Sequence, residues 1–175
     1  GDSYAIRRGK VVVFQAAKAA KVLGEEIYVI DINNGVVGYV SAIKDIVRNR
    51  NIDVVIGVDV GGDSLARGCE KNLWSPLADW MELASLPLID GILAVHSPGS
   101  DGELDWKYIL NRIDHYAIRG GLLGVRAMCR KDAELLSRIL EYVNSEASRM
   151  PLLAYSGERG RVEIRGGSRF LELNL

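Results

Sequence analysis

Apolar residues change their spacing repeatedly along this chain, and each change marks an element. Val11–Phe14 is an apolar run behind a Gly9-Lys10 turn, which predicts a short strand or hairpin. Gln15–Leu23 is built of strong helix formers and stops at Gly24. Glu26–Asp31 is almost continuously apolar, the pattern of a strand in a sheet covered on both faces. After an Asn33-Asn34-Gly35 turn, Val36, Val40, Ile43 and Val47 recur at helical spacing, with Lys44, Asp45, Arg48 and Arg50 opposite. Asp53–Asp59 reads as the central strand. Ser75 as cap and Pro76 at the first helical position predict a helix over 76–86, ended by Pro87.

Asp90–His96 is a further strand. A helix over 105–118 buries Ile109, Ile113, Tyr116 and Ala117 and breaks at Gly120-Gly121. Leu122–Val125 reads as a short strand or a packed loop segment. A helix over 132–146 carries Leu135, Leu136, Ile139, Leu140 and Val143, and Pro151–Tyr155 reads as a strand. Residues 161–165 and 169–173 alternate on either side of Gly166-Gly167-Ser168, which predicts a β-hairpin. The alternation of strands and helices over residues 26–146 predicts an α/β fold. Its expected core is a mainly parallel twisted sheet with helices on both faces, Rossmann-like and three-layered. The C-terminal antiparallel β-hairpin is expected to extend the sheet edge. The length of 175 residues predicts one domain, residues 1–175.

Composition narrows the function classes. A formal net charge of −1 argues against nucleic acid as a partner, and no apolar run reaches the roughly 20 residues of a membrane span. Cys69 and Cys129 form no paired motif, which predicts reduced thiols and a cytoplasmic setting. Charge is unevenly placed. From Asp59 to Asp105 there are nine acidic residues and only two basic ones, Arg67 and Lys71; after Asp105, twelve Lys/Arg face eight Asp/Glu. An acidic site braced by arginines, or solvated faces that pair locally, both follow from that pattern.

Ligands of such folds bind outside the carboxyl ends of the strands. The three exits there are Asp31–Gly35, Asp59–Ser64 and His96–Glu103. Gly61-Gly62 lets the backbone approach a ligand, but neither a Walker loop nor GxGxxG is present, so phosphate cradling has no motif behind it. Asp59 and Asp63 are the candidate metal ligands and catalytic carboxylates, with Asp101 and Glu103 on the neighbouring loop. Clustered carboxylates require a cation, a cationic ligand or an arginine between them. Their hard oxygens favour Mg²⁺, Mn²⁺ or Ca²⁺ over zinc, so Mg²⁺ or Mn²⁺ is the expected cofactor. The competing reading is that Asp59 caps backbone amides and Asp63 caps a short helix over residues 64–67. His96 at a strand end is a candidate general base or a satisfied, partly buried histidine. Gly61, Gly62, Ser64, Ser75 and Asp101 are candidate substrate contacts.

The run Val58-Asp-Val-Gly-Gly-Asp63-Ser-Leu-Ala-Arg-Gly68, followed by Glu70 and Leu73-Trp-Ser-Pro-Leu-Ala-Asp79, resembles the signature of the archaeal "domain of unknown function 1152" family. Asp101–Leu104, Gly120–Gly124, Ser145–Ser148 and Ile164–Gly167 are also similar, so the resemblance covers about residues 26–175. It implies an α/β fold and no established activity. Members of that family are longer and carry an N-terminal Gly-Gly-Gly-Asp type segment. The resemblance, with Gly1 in place of Met, therefore implies a shortened member or the C-terminal part of a longer protein.

Three functions follow as expectations. The first is a small-molecule site used for divalent-metal-assisted lyase or hydrolase chemistry. The second is a non-catalytic nucleotide or anion module using Gly61, Gly62, Arg161, Arg165 and Arg169. The third is an assembly subunit, a homo-oligomer joined through the edge hairpin and Trp74, Trp80 and Trp106.

Overall fold

The computed structural model describes residues 4–173. β1 (Tyr4–Arg7) and β2 (Lys10–Val13) form an antiparallel hairpin, and α1 (Gln15–Leu23) ends on a left-handed Gly24. α2 spans Gly35–Arg50, β3 Ile56–Val60, α3 Leu77–Ser85, β4 Ile92–His96 and α4 Trp106–Ala117. α5 (Arg130–Leu140) and α6 (Glu146–Tyr155) lead into the antiparallel hairpin of β5 (Gly160–Ile164) and β6 (Arg169–Leu173). The class is mixed α/β, with the C-terminal hairpin in place.

The sheet is narrower than the alternation of elements implies. Among the described residues parallel pairing joins only β3 and β4, and the three sheets are each two strands wide. Glu26–Asp31 is irregular and pairs with no strand among the described residues. Arg50 at the end of α2 holds this segment instead, through an ion pair with Glu26 and a hydrogen bond to the Tyr28 hydroxyl at 2.6 Å. Leu122–Val125 is coil, with Val125 89% exposed. Pro151–Tyr155 lies inside α6, not in a strand. Ser145 caps that helix through Ser148 N–H, and Met150 packs with Ile164 and Leu173. This packing offsets the hydrogen bond that Pro151 cannot donate. The hairpin β5–β6 forms its own sheet against α6 and does not extend β3–β4.

Helices do not cover both faces of the parallel pair. Gly57 and Asp59 face inward, with the Glu82 side chain of α3 against Gly57 and Ile109 of α4 under the loop after β3. On the other face Ile56 and Val58 remain 55% and 54% exposed. The central cluster is Leu65, Leu104 and Ile109, joined by Leu93 and Val95 of β4. Ile109 is fully buried, and it sits where a side chain on Gly62 would have to go, since a Cβ there would meet Ile109 Cγ2 at 2.9 Å.

Ile109→Ala should therefore lower stability by about 2–5 kcal/mol in urea unfolding, through lost transfer energy and an unfilled cavity. Val37→Ala, at an 83% exposed position of α2, should stay within about 0.5 kcal/mol of the parent. Equal losses in the two variants would remove Ile109 from the centre of the core.

Candidate functional site

The loop after β3 is shaped by its own carboxylate. Asp59 is 1% exposed and accepts the N–H of Gly62 at 3.2 Å and of Ser64 at 2.9 Å. These bonds wrap the chain around the end of the strand and require the left-handed backbone of Gly61 (φ 124°) and Gly62 (φ 102°). Gly61 is also where the second loop arrives. Its N–H donates to the His96 carbonyl and its own carbonyl accepts from Gly99 N–H, while the Asp101 carboxylate lies where a Gly61 Cβ would stand. The two strand exits are thus locked side by side, as parallel pairing of Val60 with His96 demands.

Five carboxylates converge there. Oxygens of Asp59, Asp63 and Asp79 lie within 4.8 Å of one another, and so do oxygens of Asp63, Asp101 and Glu103. Asp63 belongs to both groups. Glu103 is held by Trp74 N–H at 2.6 Å, Ser75 N–H at 3.1 Å, Ser75 hydroxyl at 2.6 Å and the Arg165 guanidinium at 3.1 Å. Asp101 accepts Glu103 N–H. No described residue donates a hydrogen bond to the Asp63 carboxylate. Its main-chain carbonyl instead receives Trp80 Nε1–H at 3.2 Å. Arg165 comes from the turn of the C-terminal hairpin, with its backbone left-handed (φ 56°) and its N–H donated to Glu146. The Ser64 and Ser100 hydroxyls are buried without hydrogen-bond partners among the described residues.

The electrostatics follow from burial of like charges. Burial pushes Asp63 up to about 8, with Asp79, Asp59, Asp101 and Glu103 adding to the rise. Asp101 is raised to about 6 by burial and by Glu103 and Asp59, against the opposing pull of Glu103 N–H and Arg165. Burial, with Asp59 next, raises Asp79; burial, Asp79 and Asp59 raise Glu82. Glu103 goes the other way, because the Ser75, Trp74 and Arg165 contacts outweigh its burial. Burial lowers His96, which keeps the imidazole neutral; its Nδ1 is 2.9 Å from the Ser97 hydroxyl.

The candidate residues read from the sequence fall as follows. Asp59, Asp63 and Asp101 come together. Asp59 also does the capping work that was its rival reading, whereas Asp63 makes no side-chain cap to the short turn it begins. Ser75 is engaged by Glu103, and the Gly61 and Gly62 amides are engaged by His96 and Asp59, so these groups shape the site from within. Asp79 and Glu82 were not singled out as site residues, and Arg165 was named for the anion-binding reading rather than as a partner of the carboxylates. Asp79 sits three positions beyond Pro76, in the first turn of α3, and the helix start together with the Leu73–Asp79 run were the signals for it. That Arg165 is the arginine that braces Glu103 emerges only when the hairpin is folded back onto the loop. Glu70 serves the loop rather than the cluster, accepting the N–H groups of Arg67, Gly68 and Cys69 and the Tyr108 hydroxyl.

These features define a mixed α/β protein with a buried carboxylate centre at the carboxyl end of a parallel strand pair. The chain belongs to the family described as Protein of unknown function (DUF1152), which it matches over residues 1–175, so the likeness includes the first 25 residues as well. No curated protein and no solved structure matches it. No helix among the described residues is long and apolar enough to cross a membrane.

Because the folded-state value of Asp63 lies above the usual 3.8, its contribution to stability is full below about pH 4 and is lost as pH rises toward about 8. In buffer containing a chelator, Asp63→Asn should match the parent near pH 4. Near pH 8 it should be more stable, by on the order of 2 kcal/mol, as read from thermal melts. A variant that melts no higher than the parent at pH 8 would mean that Asp63 is not charged against its neighbours.

Proposed function

We propose that this chain binds a divalent cation, Mg²⁺ or Mn²⁺, at the carboxylate centre and uses it in hydrolase- or lyase-type chemistry on a small molecule. Two acidic groups that share Asp63 support this reading above all, because the shared carboxylate draws no hydrogen bond from the described residues. The donor set fits a hard cation, being all carboxylate oxygen, and Arg165 is the one guanidinium that reaches it among the described residues. Asp59 and Asp63 are the primary ligands in this reading, completed by Asp79, Asp101 and Glu103.

When bound, such a cation supplies Lewis-acid polarisation of a substrate oxygen. The rest falls to the chain. Asp59 holds the loop in its ligating shape through Gly62 and Ser64. Ser75, Trp74 and Arg165 keep Glu103 ionised and aimed. His96, half-buried and neutral, is the proposed general base, since a neutral imidazole at the strand exit is ready to take a proton.

An anion- or nucleotide-binding module is less well supported. Arg161 stacks on Phe170 at 3.7 Å, Arg169 on Trp74 at 4.1 Å, and Arg165 is paired with Glu103, so each of the three arginines already has a partner. The Gly61 and Gly62 amides are likewise engaged.

Thermal melts near pH 7.5 test the two readings. Mn²⁺ or Mg²⁺ alone at about a hundred times its dissociation constant should stabilise the chain by about 2.7 kcal/mol. Asp63→Asn and Asp101→Asn should each abolish most of that increment. An unchanged increment in both variants would sink the carboxylate centre as the cation site. Stabilisation by phosphate or a nucleotide in chelator would favour the anion module instead.

A further inference from the structure

A cavity of about 290 Å³ opens between α2, α3 and the start of β3, and none of the five clustered carboxylates lines it. Ile43, Ile46 and Val47 of α2, Val55 and Ile56 at the start of β3, and Leu86 just after α3 make most of its wall. Gly57 shapes the interior. It offers no side chain, and a Cβ there would meet the Glu82 carboxyl carbon at 2.8 Å. Glu82 therefore reaches in from α3 and sets a carboxylate against aliphatic walls. Tyr39 of α2 is the other polar group of the lining. Burial, and then the charge of Glu82, raise its hydroxyl, which puts the two polar groups within electrostatic reach of each other.

Glu82 is short of positive charge. It draws the Val58 N–H, and no Lys, Arg or His lines the cavity. Burial raises it, and Asp79 and Asp59 add to the rise from the next turn of α3 and along β3. A carboxylate held against apolar walls is unfavourable without a partner. Mostly apolar walls with a few convergent polar groups are also the usual form of a small-molecule site.

We propose that this cavity binds an alkylammonium ion, with its carbon chain among the aliphatic side chains and its charged head on Glu82. The site lies beyond the cation centre and does not depend on it, since Glu82 belongs to neither group of converging carboxylates. Size, wall and charge select the occupant together. The volume holds about ten non-hydrogen atoms at about 30 Å³ each, enough for a primary amine on a medium-length chain. A carboxylate or phosphate ligand would be repelled by Glu82 and by Asp79 and Asp59 behind it. A neutral apolar ligand would cover Glu82 and leave it unpaired. A bare divalent ion needs several oxygens, and this wall supplies one carboxylate and one phenol.

Titration of the ¹⁵N-labelled chain with n-hexylamine near pH 7 in chelator, followed by ¹H–¹⁵N correlation spectra, tests this. Saturable shifts are expected at Tyr39, Gly57 and Glu82. Affinity should rise about fourfold for each methylene from propylamine to hexylamine, the transfer value of one buried CH₂. n-Hexanol, which has no charge to set on Glu82, should bind at least about tenfold more weakly, and hexanoate more weakly still. Glu82→Gln keeps the shape of the wall and should erase the preference for amine over alcohol. The same variant should keep the full stabilisation by Mn²⁺, so failure of the cation reading and failure of this one are told apart. Equal affinities for hexylamine and hexanol in the parent would overturn the proposal, as would the absence of saturable shifts. Shifts confined to Gly61–Asp63 and Asp101–Glu103 would also overturn it, because the amine would then be a counter-ion of the acidic loops. If Glu82→Gln does not fold, the parent's ranking of the three hexyl compounds decides the matter.

Discussion

Five carboxylates brought to one place, with a single guanidinium among them in the described residues, is the constraint to which the rest of the fold responds. Carboxylates repel when buried together, and each has to be held by a donor or by a proton. The chain distributes donors unequally. Asp59 takes two loop amides, Glu103 takes two amides, a hydroxyl and Arg165, and Asp101 takes one amide. Asp63 receives none from the described residues and carries the largest upward shift of the group. The spread, from a lowered Glu103 to an Asp63 at about 8, lets one cluster hold charge at one end and a proton at the other.

Glycine makes the convergence possible. At Gly61 the Asp101 carboxylate occupies the space of a side chain, and at Gly62 the Ile109 side chain does so from beneath. The first close approach brings the acidic loops together. The second seats that junction on the apolar cluster of Leu65, Leu104 and Ile109. Core and site are consequently one packing problem, and a change under the loop is felt at the carboxylates.

Much of this was legible in the sequence. Helices with regular apolar stripes, such as Gly35–Arg50 and Leu77–Ser85, need only local information, and so does the hairpin around Gly166–Ser168. The position of the site was legible too, because a strand that runs into Asp59-Val60-Gly61-Gly62-Asp63 leaves acidic groups on a turn. What local pattern could not decide was pairing. Glu26–Asp31 has strand composition, but Arg50, twenty-odd residues on, holds it by side chains, and it pairs with no strand among the described residues. Pro151 reads as a helix breaker, yet a cap at Ser145 and the burial of Met150 decide otherwise. Asp79 and Arg165 enter the site from distant elements, and their arrival depends on the whole arrangement.

The Arg165–Glu103 contact joins residues 62 positions apart in the chain. Closing so long a loop costs chain entropy, so the contact exists only while the packing that seats the hairpin holds its two ends together. Without the hairpin seated on α6, the acidic loops would lack their internal counter-charge. An arginine at the far end of the chain therefore acts as a proofreader of assembly: the carboxylate centre reaches its finished electrostatic state only in molecules whose last strands have folded.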